Sequence, residues 1–205
     1  MKNFITFEGG EGSGKSTAIL EIQDRLKKLG FEVVVTREPG GIKISEDIRN
    51  IILDIENTEL TYETEALLYA ASRTQHLHQK VLPALEKGMI VLCDRYLDSS
   101  LAYQGCGRGL GFDDVLDINK YALKYMPEKT FFVDVKPNIA LKRIENREKQ
   151  DRLDLEEVEF HNRVYNGYLE VANKYSDRVE VIDGTLPLDE MIDVLYNKIL
   201  KIVKE

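Results

Sequence analysis

A glycine-rich segment, GGEGSGKS at residues 9–16, lies between an apolar segment that predicts a strand and a stretch with helical periodicity. Its spacing is G-x-x-x-x-G-K-[ST], which in a strand–turn–helix context indicates a phosphate-binding loop. Glycines let the backbone curl until several N–H groups face one anion, and the helix N-terminus adds partial positive charge. A chance glycine turn is the alternative interpretation, but it does not explain the lysine and serine that follow.

The motif predicts a nucleoside triphosphate site. Lys15 is expected to reach the β- and γ-phosphates, and the Ser16 hydroxyl is expected to be a ligand of Mg²⁺. The loop residues predicted to bind ATP are Gly9, Gly10, Glu11, Gly12, Ser13, Gly14, Lys15, Ser16 and Thr17.

Short β-branched or aromatic segments alternate with longer amphipathic ones along the rest of the chain. Strands are predicted at residues 4–8, 31–36, 89–93, 130–135 and 178–182, and helices at residues 15–29, 45–54, 61–86 and 188–203. Strands separated by helices favour right-handed crossovers. We therefore expect an α/β fold of three layers, with a central parallel five-stranded sheet flanked by helices.

The segment RIENREKQDRLD, residues 143–154, departs from this regularity because it is highly charged and poor in apolar residues. It is either a solvated helix end or a mobile lid. We expect one domain over residues 1–205, with the lid at about residues 143–154.

The composition limits the partners. Twenty-eight Lys and Arg residues against 36 Asp and Glu residues give a net charge of −8, which argues against a protein that binds duplex nucleic acid or an anionic membrane. A local nest of amides and arginines can still hold small phosphorylated ligands. Two cysteines are too few for a disulfide framework, and no signal peptide or membrane span is evident, so we expect a cytoplasmic protein.

Asp94 and Arg95 directly follow the apolar strand that ends in VLC. A protein with a phosphate-binding loop needs an acid at the end of a neighbouring strand to orient Mg²⁺ and its waters. Asp94 fits that role, although an aspartate after a strand is often a helix N-cap. Arg95 can direct its guanidinium to a second phosphate.

Other features distinguish among classes of nucleotide-binding protein. The N-K-x-D motif of guanine-specific GTPases is missing, because NKYA at residue 119 and NKIL at residue 197 both lack the aspartate. Arginines instead recur at the ends of predicted elements; they are Arg37, Arg49, Arg73, Arg95, Arg143, Arg147 and Arg152. Scattered arginines are normally surface residues, but a phosphorylated donor together with a phosphorylated acceptor explains so many.

Five blocks carry a specific resemblance. They are FEGGEGSGKST, TREPGG, LLYAASR, DRYLDSSLAYQG and the basic segment ending DRLD, at residues 7–17, 36–41, 67–73, 94–105 and 143–154. In this order they resemble the bacterial type of thymidylate kinase, within the P-loop nucleoside monophosphate kinases. The resemblance implies transfer of the ATP γ-phosphoryl group to dTMP with Mg²⁺, on the route to dTTP, by a homodimer.

The resemblance also implies roles for individual acceptor-site residues. The dTMP phosphate is expected to be held by Arg37, Arg49 and Arg95, with Glu38 near the magnesium waters. Tyr69, which is phenylalanine in many members of the family, is expected to stack on thymine. The remaining dTMP contacts implied are Arg73 to a thymine carbonyl, Ser99, Ser100 and Gln104 to the rest of the base edge, Tyr103 against a ribose 2′-hydroxyl, and Glu11 to the 3′-hydroxyl.

Catalysis is expected to need little covalent chemistry from the protein, because positioning and charge neutralisation suffice for phosphoryl transfer. The residues implied are Lys15, Asp94, Arg95, Arg147 and Arg152, with Ser16 and Asp94 holding Mg²⁺ partly through water. Adenine is expected against Arg143 and the loop at residues 183–188. Glu11 stands where some thymidylate kinases have an arginine, so we expect Arg147 or Arg152 to move in on lid closure.

Two alternatives stay open at this point. One is a small-molecule kinase with a phosphate-binding loop that uses a different nucleoside monophosphate or nucleoside; the other is an ATP-binding sensor without turnover. The three histidines, His76, His78 and His161, have no evident acid or base partner in the sequence and are expected at the surface. Cys93 is expected to be a buried, inert strand residue.

Overall fold

A computed structural model of the chain describes residues 1–144 and 151–204. Its centre is one sheet of five parallel strands, in the spatial order β2-β3-β1-β4-β5. The strands are β1 Phe4–Glu8, β2 Val33–Arg37, β3 Ile90–Asp94, β4 Lys129–Asp134 and β5 Val179–Asp183. The predicted five-stranded parallel sheet flanked by helices is confirmed.

Each strand lies within two residues of its predicted position. β2 begins two residues later than predicted because the Phe31 N–H still bonds to the Leu26 carbonyl at 3.2 Å, closing the end of the preceding helix. All five residues of β1 are buried, as expected for a central strand covered on both faces.

Nine α-helices connect and cover the strands in the part of the chain that is described. They are α1 Lys15–Lys28, α2 Lys43–Leu53, α3 Tyr62–His76, α4 Leu82–Glu86, α5 Leu97–Ser100, α6 Phe112–Ile118, α7 Pro137–Ile144, α8 Val158–Lys174 and α9 Leu188–Lys204. Two π-helical segments, Leu77–Val81 and Leu101–Gly107, and a 3₁₀ turn, Ala122–Tyr125, complete the set. None of the described helices is long and apolar enough to cross a membrane.

The helix predicted at residues 61–86 forms, but not as one regular α-helix. It consists of α3, the π-helical turn Leu77–Val81 and α4 in unbroken succession. Pro83 lies just beyond the π-helical turn and has no N–H to donate to the preceding turn. Helices α5 to α8 are additions to the predicted set.

Two apolar clusters hold the layers together. On one face of the sheet, α1 and α9 pack on β1 and β3 through residues such as Ile22, Leu92 and Leu195. On the other face, α8 and Leu101–Gly107 cover Phe4, Cys93 and Phe132. Cys93 is buried as predicted, and burial raises the pKa of its thiol.

Helix α8 packs backbone to backbone on the π-helical segment Leu101–Gly107. A Cβ atom on Gly167 would lie 2.9 Å from Cys106 Cβ and 3.0 Å from Ala102 Cα. Only glycine fits at that distance. This contact fixes α8 on the sheet, and so brings His161 to the cavity wall and the Tyr168 hydroxyl to Arg95.

Candidate active site

A cavity of about 460 Å³ lies beyond the carboxyl ends of the central strands, where open parallel sheets bind ligands. Most of the residues predicted for the site line it: Glu11, Gly12, Ser13, Gly14, Lys15, Ser16, Thr17, Arg37, Glu38, Arg49, Tyr69, Arg73, Asp94, Arg95, Ser99, Ser100, Tyr103, Gln104 and Arg143. Gly9, Gly10 and Arg152 do not line it, and Arg147 lies outside the described residues.

The phosphate loop has the curled backbone that its glycines predict. Gly9 has a φ of +135°, and a Cβ atom there would meet the Val133 carbonyl oxygen at 2.6 Å. Lys15 Nζ donates to the carbonyls of Gly9 and Gly10 and to Ser13 Oγ, at 3.0, 2.9 and 3.0 Å. The ammonium group is therefore held over the loop that is predicted to receive phosphate.

The Lys15 ammonium is buried, and its pKa is lowered first by that burial and then by the Arg95 guanidinium. Both effects penalise the charged form, and an anion in the loop relieves them. The loop therefore favours a negatively charged ligand.

Ser16 and Asp94 meet as the motif predicts. The Ser16 hydroxyl donates to Asp94 Oδ2 at 2.5 Å. Asp94 Oδ1 is buried, and no donor among the described residues reaches it. A hydroxyl and a carboxylate oxygen without a protein donor are ligands that suit Mg²⁺, so this pair fits the predicted metal.

No group of three or more His, Cys, Asp or Glu side chains in the described ranges could form a protein-only metal site. This agrees with how Mg²⁺ is usually bound in kinases, through one or two carboxylates together with substrate phosphates and water.

Arg95 lies at the centre of the site, with a φ of +70° that a non-glycine residue rarely adopts. Its guanidinium donates to Glu11 Oε1 at 2.7 Å, to the Tyr168 hydroxyl at 2.8 Å and to the Tyr103 hydroxyl at 3.2 Å. Burial raises the pKa of Tyr103 to about 12, so this hydroxyl keeps its proton. The backbone geometry and these partners fix the guanidinium beside the phosphate loop.

Glu8, the last residue of β1, is a site residue that the sequence analysis did not select. Its carboxylate is buried and accepts from the Tyr96 N–H at 2.8 Å and from the hydroxyls of Ser99 and Tyr168. Burial and the nearby Asp98 carboxylate raise its pKa to about 7. In the sequence Glu8 is only the polar residue at the end of an apolar strand, so no pattern indicates its buried contacts.

A buried ion-pair network joins β2 to α3. Glu38 accepts from Arg73 Nε at 2.7 Å through one oxygen and contacts His76 Nδ1 at 2.8 Å through the other. The other nitrogen of His76 bonds to the Thr36 hydroxyl at 2.7 Å. In this structure Glu38 orients Arg73, and its role near the magnesium waters stays a prediction.

The expectation that His76 is a surface residue is wrong, because its side chain is fully buried. Its partners Thr36 and Glu38 lie on β2 and the loop after it, about 40 positions away along the chain. No local pattern in the sequence indicates such a contact. His78 is exposed as expected, whereas His161 is half-buried at the cavity wall.

Arg73 is nearly fully bonded within the protein. Besides Glu38, its guanidinium donates to Asn119 Oδ1 at 2.6 Å, the Tyr96 carbonyl at 3.1 Å and Ser100 Oγ at 3.0 Å. Such a network fixes the orientation of the guanidinium edge at the cavity wall.

Besides Arg95, two arginines, Arg37 and Arg49, are predicted to bind the acceptor phosphate, and both line the cavity. Arg37 is half-exposed and forms an ion pair with Glu46 at 2.8 Å. Arg49 Nη1 donates to the Pro39 carbonyl at 3.0 Å. If Arg37 binds the phosphate of a ligand, it gives up its ion pair with Glu46 at the surface.

Behind the cavity wall, Glu65 of α3 collects several donors. It accepts from Gln104 Nε2 at 2.8 Å, from Arg108 Nη2 at 3.1 Å and from Arg152. Arg152 also donates to the Ile52 carbonyl at 2.9 Å. In this structure Arg152 is therefore bound to α2 and α3, and its movement towards the phosphates stays a prediction.

Arg143 connects the phosphate loop with the loop after β5. Its guanidinium donates to the Gly12 carbonyl at 3.2 Å and to the Gly184 carbonyl at 3.4 Å. The contact of adenine with Arg143 and residues 183–188 stays a prediction. Tyr69, on α3, is half-buried at the opposite side of the acceptor cavity.

Comparisons with known proteins agree with this geometry. The sequence profile described as "Thymidylate kinase" matches residues 7–193. A thymidylate kinase of Geobacillus sp. strain WCH70 is 50% identical over 191 residues, covering 92% of this chain and 91% of that protein. One of Oceanobacillus iheyensis is 54% identical over 190 residues, covering 91% and 84%.

A solved structure gives the same result for the fold. The crystal structure of thymidylate kinase from Ehrlichia chaffeensis superposes with a TM-score of 0.76 at 31% sequence identity and covers 98% of both chains. The profile match and the identity over nearly the whole length establish that this chain belongs to the thymidylate kinase family.

Proposed function

We propose that the cavity binds ATP and dTMP together and transfers the γ-phosphoryl group between them with Mg²⁺ present. Phosphorylation of dTMP to dTDP, a step towards dTTP, is the activity of the family to which the chain belongs. The observation that carries the proposal is the single cavity that contains both the phosphate loop and the arginine-rich acceptor wall.

The donor half uses the phosphate loop. The backbone N–H groups of residues 9–16 and Lys15 bind the β- and γ-phosphates. Adenine binds near Arg143, which already contacts the loops on either side of that position. The helix α1 begins directly after the loop, so its N-terminal dipole adds to the attraction.

Ser16 and Asp94 are the residues that would hold Mg²⁺. A bound Mg²⁺ neutralises charge on the phosphate oxygens during transfer. The hydrogen bond between Ser16 and Asp94 keeps both side chains at the same place next to the loop.

The acceptor half positions dTMP. Arg95, Arg37 and Arg49 bind its phosphate, while Tyr69 stacks on the base. Arg73, Ser99, Ser100 and Gln104 read the base edge, Tyr103 excludes a ribose 2′-hydroxyl, and Glu11 accepts from the 3′-hydroxyl. Arg95 links the two halves, because it contacts Glu11 of the phosphate loop directly.

The transfer step needs the two phosphates in line and water kept out. Lys15 and Arg95 stabilise the charge on the transferred group. No strong general base is required, because little proton transfer precedes the transition state in this chemistry. We expect the predicted lid at residues 143–154 to exclude water when both substrates are bound; residues 145–150 of it lie outside the described residues.

An acceptor panel tests the proposal. ADP release is measured with dTMP, dUMP, CMP and AMP as acceptors, and dTMP should give the highest kcat/KM, with slow hydrolysis of ATP alone.

Lys15→Ala should lower kcat by about a hundredfold or more, roughly 3 kcal/mol of transition-state stabilisation. The exposed Lys43→Ala change is the matched control. A better acceptor among CMP and AMP would show that the base contacts are assigned incorrectly, and binding of ATP without turnover would indicate a sensor.

The assembly and location are part of the same proposal. We expect a two-fold homodimer that works in the cytoplasm, where its nucleotide substrates are found. Its two free thiols, Cys93 and Cys106, suit a reducing compartment.

A further inference from the structure

Gln104 lies at the base-reading wall, and its hydrogen-bonding polarity is not fixed by its own chemistry. Arg73 can only donate, whereas a glutamine amide presents either its oxygen or its NH₂ group after a simple rotation. An acceptor at this position selects a base that carries a ring N–H. A donor selects a base with a ring nitrogen lone pair. The orientation of one amide therefore decides which pyrimidine is accepted.

Glu65 settles that orientation. Gln104 Nε2 lies 2.8 Å from Glu65 Oε1, and a carboxylate can only accept. The reverse orientation would place the amide oxygen against the carboxylate oxygen in a buried site, where repulsion is strong. The bond to Glu65 is made by Nε2, and the side chain lines the cavity, so Oε1 is the atom left to face it.

The carboxylate is itself held ionised. Glu65 is fully buried, and burial by itself raises its pKa, but the Arg108 guanidinium and the bonds from Arg108, Arg152 and Gln104 outweigh that effect and lower it. Its second oxygen faces Arg108 and Arg152. The oxygen nearest Gln104 thus stays an acceptor under ordinary conditions.

We propose that Glu65, which does not line the cavity, is a positioning residue that determines specificity. It fixes the Gln104 amide with its oxygen towards the base. The site therefore selects thymine and uracil, whose ring nitrogen is protonated, over cytosine. The inference rests on the proposed function, in which the pyrimidine lies at Gln104. Arg73 donates to the 4-oxo group beside the ring N–H. Cytosine presents the opposite pattern at both positions, a lone pair and an amino group.

Glu65→Gln reverses the arrangement in a predictable way. Arg152 and Arg108 Nη2 attract the amide oxygen of the new side chain to the position of Glu65 Oε2, and they outweigh the longer contact of Arg108 Nε with Oε1 at 3.3 Å. The NH₂ group then occupies the position of Oε1 and donates to Gln104. Gln104 turns its own NH₂ group to the cavity, where it matches the cytosine ring nitrogen.

The experiment measures kcat/KM and the dissociation constants of dTMP, dUMP and dCMP. The wild-type protein should prefer dTMP to dCMP by at least about a hundredfold, since a site built to bond to an N–H rejects an analogue that lacks it. In Glu65→Gln the dTMP-to-dCMP ratio should fall about tenfold or more. The dTMP-to-dUMP ratio should stay within about twofold, because both bases present the same edge to Gln104. A general loosening of the site would change both ratios.

Two further variants separate polarity from packing. Glu156→Gln weakens the same cluster through the outer ion pair of Arg108 but leaves the Glu65 carboxylate and Arg108 in place, so the dTMP-to-dCMP ratio should not change. Glu65→Asp keeps an acceptor-only group and should retain more discrimination than Glu65→Gln. An unchanged dTMP-to-dCMP ratio in a folded Glu65→Gln protein overturns the inference.

If Glu65→Gln does not fold, the wild-type protein still provides a test of the Gln104 orientation. In its complex with dTMP, the Gln104 NH₂ protons should give nuclear Overhauser contacts to α3 and none to the thymine imino proton. Contacts from the NH₂ group to the imino proton would refute the inference. Failure of the wild-type protein to phosphorylate dTMP at all would instead contradict the proposed function.

Discussion

At the scale of single residues, buried carboxylates surround the acceptor half of the cavity, and each has identified donors. Glu38 pairs with Arg73, Glu65 with Arg108, and Asp98 with Arg178 at 2.6 and 2.7 Å. Removing one partner of a buried ion pair leaves an uncompensated charge and typically costs about 3–5 kcal/mol. Arg108 and Arg178 do not line the cavity, so the site also depends on residues behind its wall.

Glu8 differs from these carboxylates because it bonds to neutral donors and not to an arginine. Its pKa is raised to about 7. The folded state then binds a proton that the unfolded state, with a pKa near 4.5, has already lost. Folding stability should fall as pH rises from about 4.5 to 7, by up to roughly 3 kcal/mol.

Thermal unfolding from pH 5 to pH 8 checks this prediction. The melting temperature of the wild-type protein relative to Glu8→Gln should fall by several degrees across that range. Glu159→Gln, an exposed change on α8, should leave the profile of the wild-type protein unaltered. Parallel profiles for wild type and Glu8→Gln would contradict the raised pKa.

At the scale of elements, the sequence predicted those features that short segments of the chain determine by themselves. The strands and the phosphate loop were predicted because apolar periodicity and the Gly-Lys-Ser spacing are contained in short segments. Helices α5 and α6 were not, because they are only four and seven residues long and flank a π-helical segment. The periodicity of neither an α-helix nor a strand fits that stretch.

The positions of Glu65 and His76 lay beyond prediction for a different reason. Their roles come from contacts with residues about 40 positions or more away, on other elements. A glutamate in the first turn of a helix reads as a favourable charge at its N-terminus, not as a buried acceptor. The resemblance to a family supplied the residues predicted to touch substrates, but not Glu65, which contacts Gln104 from behind the cavity wall.

The catalytic prediction depends on the predicted lid at residues 143–154. Arg152 is bound to Glu65 and to the Ile52 carbonyl, so it must leave both partners to reach the transferred phosphoryl group. Arg152→Ala or Arg147→Ala should lower kcat about a hundredfold or more while the dTMP dissociation constant barely changes, since the contact forms in the transition state.

Arg95→Ala is the matched comparison. The Arg95 guanidinium already faces the acceptor cavity, so its removal should weaken dTMP binding directly. Steady-state ADP release and calorimetric titration with dTMP measure the two effects. If neither lid variant lowers kcat, the lid arginines do not act on the transferred group.

At the scale of the whole molecule, α2 and α3 leave large apolar side chains exposed. Leu67 of α3 is 55% exposed, and Ile44 and Ile51 of α2 are each about half-exposed. These residues suit the two-fold interface that the family implies, because a partner would cover them.

Sedimentation should accordingly give a particle of about twice the chain mass of 23.5 kDa. Leu67→Glu places a charge on the exposed face and should shift the protein towards the monomer at micromolar concentration. Exposed Leu29→Glu, at the end of α1, is the control and should leave the dimer intact. A wild-type monomer would refute the dimer without affecting the enzymatic assignment.

The central position of β1 also has an evolutionary consequence. Segments after β2 and β3 carry the predicted acceptor residues, while Arg143 and Gly184, which are predicted to flank adenine, follow β4 and β5. The two sets of segments also meet away from the phosphate loop, because α8 packs on Leu101–Gly107 and Arg152 bonds to Glu65. Substitutions that change acceptor choice should therefore fall mainly after β2 and β3, and those that reach α8 or Arg152 would also affect the segments that follow β4.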